Sequence, residues 1–169
     1  MKLPAVIWLT GLPGSGKSTI AEGIMEYLSK NVIRAEHLDG DDVRKMFPQT
    51  GFSKEERDRH IRRVGHLASM LEKHDVTVVA SFISPYREAR EFVRSLCRNF
   101  IEIYVSTPLE VCEQRDPKGL YLKARKGEIK EFTGIDDPYE EPTRPELRID
   151  TTDQRIEESV RIVVDYISR

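Results

Sequence analysis

Residues 11 to 18 read Gly-Leu-Pro-Gly-Ser-Gly-Lys-Ser, the spacing G-x-x-x-x-G-K-[ST] of a phosphate-binding loop. Glycines at its turns let successive backbone N–H groups converge on phosphate oxygens, and a helix opening at the loop adds a favourable dipole. Lys17 would place its ammonium on the β- and γ-phosphates, and Ser18 would give its hydroxyl to Mg2+. Gly11, Leu12, Pro13, Gly14, Ser15, Gly16, Lys17, Ser18 and Thr19 are the candidate nucleotide contacts. They imply a nucleoside triphosphate and leave the reaction open.

Such a loop is usually accompanied by an acid at the end of an apolar strand. The most β-prone run, Val76 to Ile83, ends instead in Ser84, and the nearest acids are Asp39 and Asp41. An acid there can hold a metal-bound water or accept a hydroxyl proton during phosphoryl transfer. A plain turn with a helix cap accounts for Asp39-Gly40-Asp41 equally well. Arg44, Phe52, Arg57, Arg59, Arg62 and Arg63 follow. Guanidinium forks bind oxyanions in pairs, and an aromatic beside them offers a stacking face for a purine. The competing account is a charged outer helix face. His37, His60, His66 and His74 read as ordinary surface or helix histidines, with no carboxylate at metal-ligand spacing.

The elements that must position these residues alternate between strand and helix, the pattern of a parallel sheet covered on both faces. Ala5–Leu9 is a short apolar run and a buried first strand. Ile20, Ile24, Tyr27 and Leu28 lie on one face of a helix from Lys17 to about Asn31. Val32–Leu38 reads as a second strand. Ser53 and Glu56 form a capping box for a helix with Ile61, Val64, Ala68 and Leu71 as its stripe. Val76–Ile83 is a central strand. Pro85 suits the first turn of the next helix, whose inner face is Ala89, Phe92, Val93 and Leu96. Phe100–Val105 is another strand, and Thr107-Pro108 starts a short helix with a cap and a proline at N1. Leu147–Ile149 is the last strand, followed by a helix with Ile156, Val160, Val163, Val164 and Ile167 on one side. Periodicity fails between about 116 and 145; so long an irregular stretch is either a functional lid or a solvated surface excursion with no role, and the strand and amphipathic helix that follow it favour the lid.

The 169 residues suit one domain, 1–169. Charge is balanced, with 27 Lys+Arg against 29 Asp+Glu for a net of −2, which argues against a grip on nucleic acid or an anionic membrane. The chain is 38% hydrophobic and 33% charged, a soluble globular balance. No apolar run approaches a membrane span, and a secretory leader is not expected. Cys97 and Cys112 cannot build a disulfide framework or a zinc site, so a reducing cytoplasm is the expected location.

Several stretches together are more specific than the loop: LDGDDVR from Leu38, GFSKEERDRHIRRVGHLA from Gly51, SFISPYREAR from Ser81, and CEQRDPKGLY with EFTGIDDPYE between Cys112 and Glu140. With them the whole chain resembles adenylylsulfate kinase, which phosphorylates the 3′-hydroxyl of adenosine 5′-phosphosulfate (APS) with ATP. The resemblance implies an α/β three-layer P-loop kinase fold, a central parallel sheet flanked by helices, and a mobile lid. It implies ATP on the loop with Arg115, Mg2+ at Ser18, and Asp39 holding the metal through a water. Asp41, Asp42, Val43, Arg44, Phe52, Arg57, His60, Ile83, Ser84, Lys118, Glu131 and Phe132 would form the APS site. Lys17, Asp41, Asp39 and Ser84 would be the catalytic set, the position of Ser84 being a phosphoserine intermediate in some bacterial members. A homodimer, and ATP sulfurylase as a functional partner, are also implied.

Three residues depart from the family's usual ones: His60 for asparagine, Asp42 for asparagine, and Glu131 for glycine. A histidine titrating near pH 6.5 would make APS affinity depend on pH. The alternatives are another small P-loop phosphotransferase, acting on a nucleoside, sugar acid or polynucleotide end, and a nucleotide-binding module without turnover.

Overall fold

The structure, a computed structural model, describes residues 2–47 and 51–169. Strand β1 (Val6–Thr10) runs into the glycine loop and helix α1 (Lys17–Lys30). β2 (Ala35–Asp39) passes directly into α2 (Gly40–Met46). α3 (Lys54–Lys73) and β3 (Thr77–Ser81) follow, then α4 (Arg87–Leu96) and β4 (Phe100–Val105). α5 (Leu109–Arg115), α6 (Leu120–Arg125), β5 (Leu147–Ile149) and α7 (Ile156–Ile167) complete the order.

The five strands among the described residues form one parallel sheet in the order β2-β3-β1-β4-β5. Because side chains alternate along a strand, β1 divides its residues between two cores. Ile7 and Leu9 pack with Ile20, Ile24 and Leu28 of α1 and with Val163 and Ile167 of α7. Val6 and Trp8 pack with Val43 of α2, Ile61, Val64 and Ala68 of α3, and Ala89 and Val93 of α4. These are three layers, helices on both faces of a parallel sheet. The carboxyl ends of β1, β2 and β3 then open on one crevice, where ligands bind in such sheets.

Several local expectations are corrected. The second strand begins at Ala35 rather than Val32, because Val32 ends α1 in a left-handed turn (φ 56°). Ile33 N–H reaches Leu28 O at 2.9 Å and Val32 N–H reaches Ser29 O at 3.0 Å, the paired bonds of a Schellman cap. Pro85 lies ahead of α4, whose N-cap is Tyr86, and Pro108 is the N-cap of α5 rather than its first helical residue. Thr107 does not cap α5; its hydroxyl braces the glycine loop, at 3.2 Å from Ser15 O. On α4, Ala89 and Val93 are buried but Phe92 and Leu96 only half so, and Arg90 lies inside at 2% exposure. Two short helices, α2 and α6, have too few turns to show a hydrophobic period.

Candidate active site

The glycine loop is held from behind. Gly14 (φ 74°) and Gly16 (φ 99°) occupy left-handed backbone that side-chain-bearing residues adopt only with strain, and a Cβ on Gly14 would also crowd Cys112 O at 3.2 Å. The carbonyl of Ser15 accepts from the hydroxyls of Thr107 (3.2 Å) and Thr151 (2.9 Å). Arg115 in turn donates to Thr151 Oγ1 at 2.8 Å and to Thr151 O at 2.6 Å. Tyr121 donates to Pro13 O at 2.8 Å. Thr107, Thr151 and Tyr121 were not legible as site residues, because they support the loop from elements distant in sequence.

Lys17 folds back on this loop, its Nζ 2.6 Å from Leu12 O. Burial lowers its pKa to about 8, which leaves an ammonium in need of anionic partners. Asp39 sits at the end of β2 as the N-cap of α2, its Oδ1 accepting from Asp41 N–H at 2.9 Å. Its Oδ2 accepts from Ser18 and Ser81, each at 2.9 Å. Burial raises its pKa, but the bonds from Asp41 N–H, Ser81 and Ser18 outweigh that and hold the carboxyl below its usual range. Thus the turn with a helix cap and the acid beside the phosphate loop are the same residue in two roles.

A cavity of about 650 Å³ continues from this loop. Lys17, Ser18 and Asp39 line one part, and Arg44, Phe52, Arg57 and His60 line another. Phe52 is 58% exposed, with the guanidinium of Arg44 4.5 Å from its ring centre. Arg57 is buried and donates to Phe52 O at 2.5 Å, to the hydroxyl of Thr133, and to Glu131 O. Asp137 stands 3.7 Å from its Nη1. Lys118 forms an ion pair with Asp41 at the mouth.

His60 is 2% exposed, and neither ring nitrogen has a hydrogen-bond partner among the described residues. Phe47 and Phe82 meet its ring edge-on. Burial, with Arg44 and Arg63 nearby, lowers its pKa to about 4. An imidazole titrating near 6.5 is therefore replaced by one that stays neutral through the physiological range.

The match to the adenylylsulphate kinase family model spans residues 3–150. The chain belongs to that family. An adenylyl-sulfate kinase from Gloeothece citriformis is 53% identical over 164 residues, 96% of this chain and 93% of the relative. An APS kinase from Mycobacterium tuberculosis in complex with AMPPNP and APS superposes with a TM-score of 0.94 at 41% identity, covering 98% of each chain. A gluconokinase from Sinorhizobium meliloti reaches a TM-score of 0.64 at 17% identity, covering all of this chain and 94% of its own, and so shares the fold.

Of the positions that the adenylylsulphate kinase likeness singles out, most line the cavity, including Asp41, Ile83, Ser84, Arg115, Lys118 and Phe132. Others do not. Val43 is buried in the core with α3 and α4, and Asp42 pairs with Lys45 at 2.6 Å on the outer face. Glu131 offers its backbone carbonyl to Arg57, and its side chain is not among the lining residues. Gly11, Leu12 and Ser15 form the back of the loop rather than the cavity wall. Arg62 turns away to Asp58 and Glu88, while Arg59 and Arg63 are exposed.

Ser84, just beyond β3, is buried at 2% exposure. Its Oγ accepts from Trp8 Nε1 at 3.1 Å and donates to Thr10 Oγ1 at 3.0 Å. Thr10 spends its own proton on Ile83 O at 2.8 Å. The only Ser84 proton thus runs inward to a hydroxyl, and these bonds supply it with no base. Arg90 holds the Ser84 carbonyl at 2.5 Å, balanced by Glu102 at 2.9 Å.

Proposed function

We propose that this chain is an adenylyl-sulfate kinase, transferring the γ-phosphoryl group of ATP to the 3′-hydroxyl of APS to give 3′-phosphoadenosine 5′-phosphosulfate and ADP. The observation that carries the reading is one continuous cavity with a triphosphate loop in one wall and an aromatic–guanidinium set in another. Family membership narrows the acceptor to APS. The 3′-oxygen attacks phosphorus as the bond to the β-phosphate oxygen breaks, so ADP leaves and the hydroxyl proton must be taken up. Asp41 is the better acceptor for it, because both oxygens of Asp39 are held by hydrogen bonds whereas the Lys118 pair engages only Oδ2 of Asp41. Catalysis is then mainly positioning and charge stabilisation.

The donors present fit Mg2+. Ser18 gives its proton to Asp39, which leaves its lone pairs for a cation, and phosphate oxygens and waters complete a shell of the kind magnesium keeps. Bound there, the ion would neutralise charge on the transferring phosphoryl group. Among the described residues no cluster of three or more His, Cys, Asp or Glu competes for it. Residues 116–145 serve as the lid, with Lys118 and Phe132 over the nucleotides and Arg115 at its root. Ser84 is a positioning residue in this reading. A homodimer, ATP sulfurylase as partner, and a cytoplasmic location belong to the same reading and rest on the resemblance; among the described residues no helix is long and apolar enough to cross a membrane.

The deciding experiment mixes the protein with ATP, Mg2+ and APS and identifies the product by mass spectrometry. Formation of 3′-phosphoadenosine 5′-phosphosulfate is expected. Phosphorylation of gluconate, a nucleoside or a polynucleotide end in preference to APS would replace the reading with another P-loop phosphotransferase.

A further inference from the structure

His37 and Asp39 stand two residues apart on β2 and so share one face of the strand. In register, Asp39 lies opposite Ser81 and His37 opposite Val79 on β3. Ala35 and Val79, on that same face, pack into the α1 cluster, so this is the side on which Ser18 opens its helix. His37 Nε2 is 3.0 Å from the Ser81 hydroxyl, and that hydroxyl is 2.9 Å from Asp39 Oδ2. Ser18 Oγ lies 2.9 Å from the same oxygen. Ser18, Asp39 and Ser81 line the cavity, whereas His37 is outside it and half-buried.

Counting protons orders this chain. A serine hydroxyl has one, and an ionised carboxylate only accepts. Ser81 gives its proton to Asp39, since the charge-assisted bond is the stronger of its two choices. The lone pair that Ser81 turns to His37 must then receive a proton, which assigns the hydrogen to His37 Nε2.

We infer that His37 is a positioning residue for phosphoryl transfer: its Nε2–H locks the Ser81 hydroxyl toward Asp39, and Asp39 so aimed holds the Ser18 proton away from the metal side. This rests on the assignment of Ser18 and Asp39 to the magnesium site under Proposed function. Without the imidazole, the lone pair of Ser81 loses the donor that fixes it, and the hydroxyl's bond to Asp39 is no longer held in one orientation.

The test uses the full chain with ADP and Mn2+, counting bound manganese by electron paramagnetic resonance, beside steady-state kinetics with ATP and APS. His37→Phe is expected to weaken manganese binding to the ADP complex and to lower kcat, each roughly 3- to 10-fold, the range of one net hydrogen bond. ADP affinity without metal should stay constant. His37→Gln, whose amide N–H can stand in for Nε2–H, should restore both. Ser81→Ala should reproduce the loss, and adding His37→Phe to it should cost nothing more, as for residues acting through one bond. Unchanged manganese binding in folded His37→Phe overturns the inference alone, as does additive loss in the double variant. A wild-type chain that holds no manganese beside ADP overturns the metal assignment itself.

Discussion

Arg57 of α3 and Thr133 of the α5–β5 connection are joined by a hydrogen bond from Nη1 to the threonine hydroxyl, 76 positions apart in sequence. Three of the five guanidinium donors are used on Phe52 O, Thr133 and Glu131 O. Arg57 therefore latches the proposed lid onto the acceptor wall, in addition to any anion it binds. Arg57→Ala should raise the KM for APS by roughly 10- to 150-fold, from the loss of charged hydrogen bonds, with the KM for ATP changed less. It should also speed protease cleavage between residues 126 and 136. Unaltered cleavage and APS kinetics would sink both roles.

Lys17 binds protons less readily in the free protein, with burial lowering its pKa to about 8. Phosphate oxygens on the loop would favour the ammonium and return the pKa upward. Binding of ADP at pH 8.5 should therefore take up protons, measured as a buffer-dependent calorimetric enthalpy. The uptake should fade at pH 6.5, where the lysine is already charged, and vanish in Lys17→Met. Proton release at pH 8.5 would contradict the sign.

The neutral state of His60 changes the expected pH response. The ratio of APS KM between the native chain and His60→Asn should vary less than about twofold from pH 5.5 to 8, because a group with a pKa near 4 barely titrates there. A ratio that breaks near pH 6.5 would restore the titrating histidine. Stability carries a matching signature. The folded pKa, about 4, lies below the ordinary 6.5, so the unfolded chain binds the proton first and stability falls as pH drops through that window. The loss at pH 5 is about 2 kcal/mol, and His60→Phe should remove it in urea unfolding.

Ser84→Ala tests whether that hydroxyl reacts. Because its proton goes to Thr10, the variant should keep kcat within about tenfold of the native value, the cost of one displaced hydrogen bond. It leaves Trp8 Nε1 without its partner, so stability should fall by about 1–3 kcal/mol. Labelled ATP without APS should leave no phosphate on the native chain. Stoichiometric labelling of Ser84 would reverse this assignment.

The phosphate loop, the helix stripes and the capping box at Ser53 could all be read from the chain, because each is written within about ten residues by spacing and period. Where local signals misled, a neighbour in space had intervened. Val32 is β-prone, yet the bond from Ile33 N–H to Leu28 O at 2.9 Å closes a helix end there. Thr107 is a good cap, yet its hydroxyl is taken by Ser15 O and Thr151.

The order of residues along the chain sets the chemistry available: a triphosphate cradle, acids after the second strand, and arginines with an aromatic downstream. The tertiary structure decided which of these groups face one another. Arg57 rather than Arg62 turns inward, burial together with Arg44 and Arg63 keeps His60 neutral, and Ser84 directs its proton to Thr10 across 74 positions. Desolvation and hydrogen-bond partners arise between strands and helices far apart along the chain, and no local spacing records them.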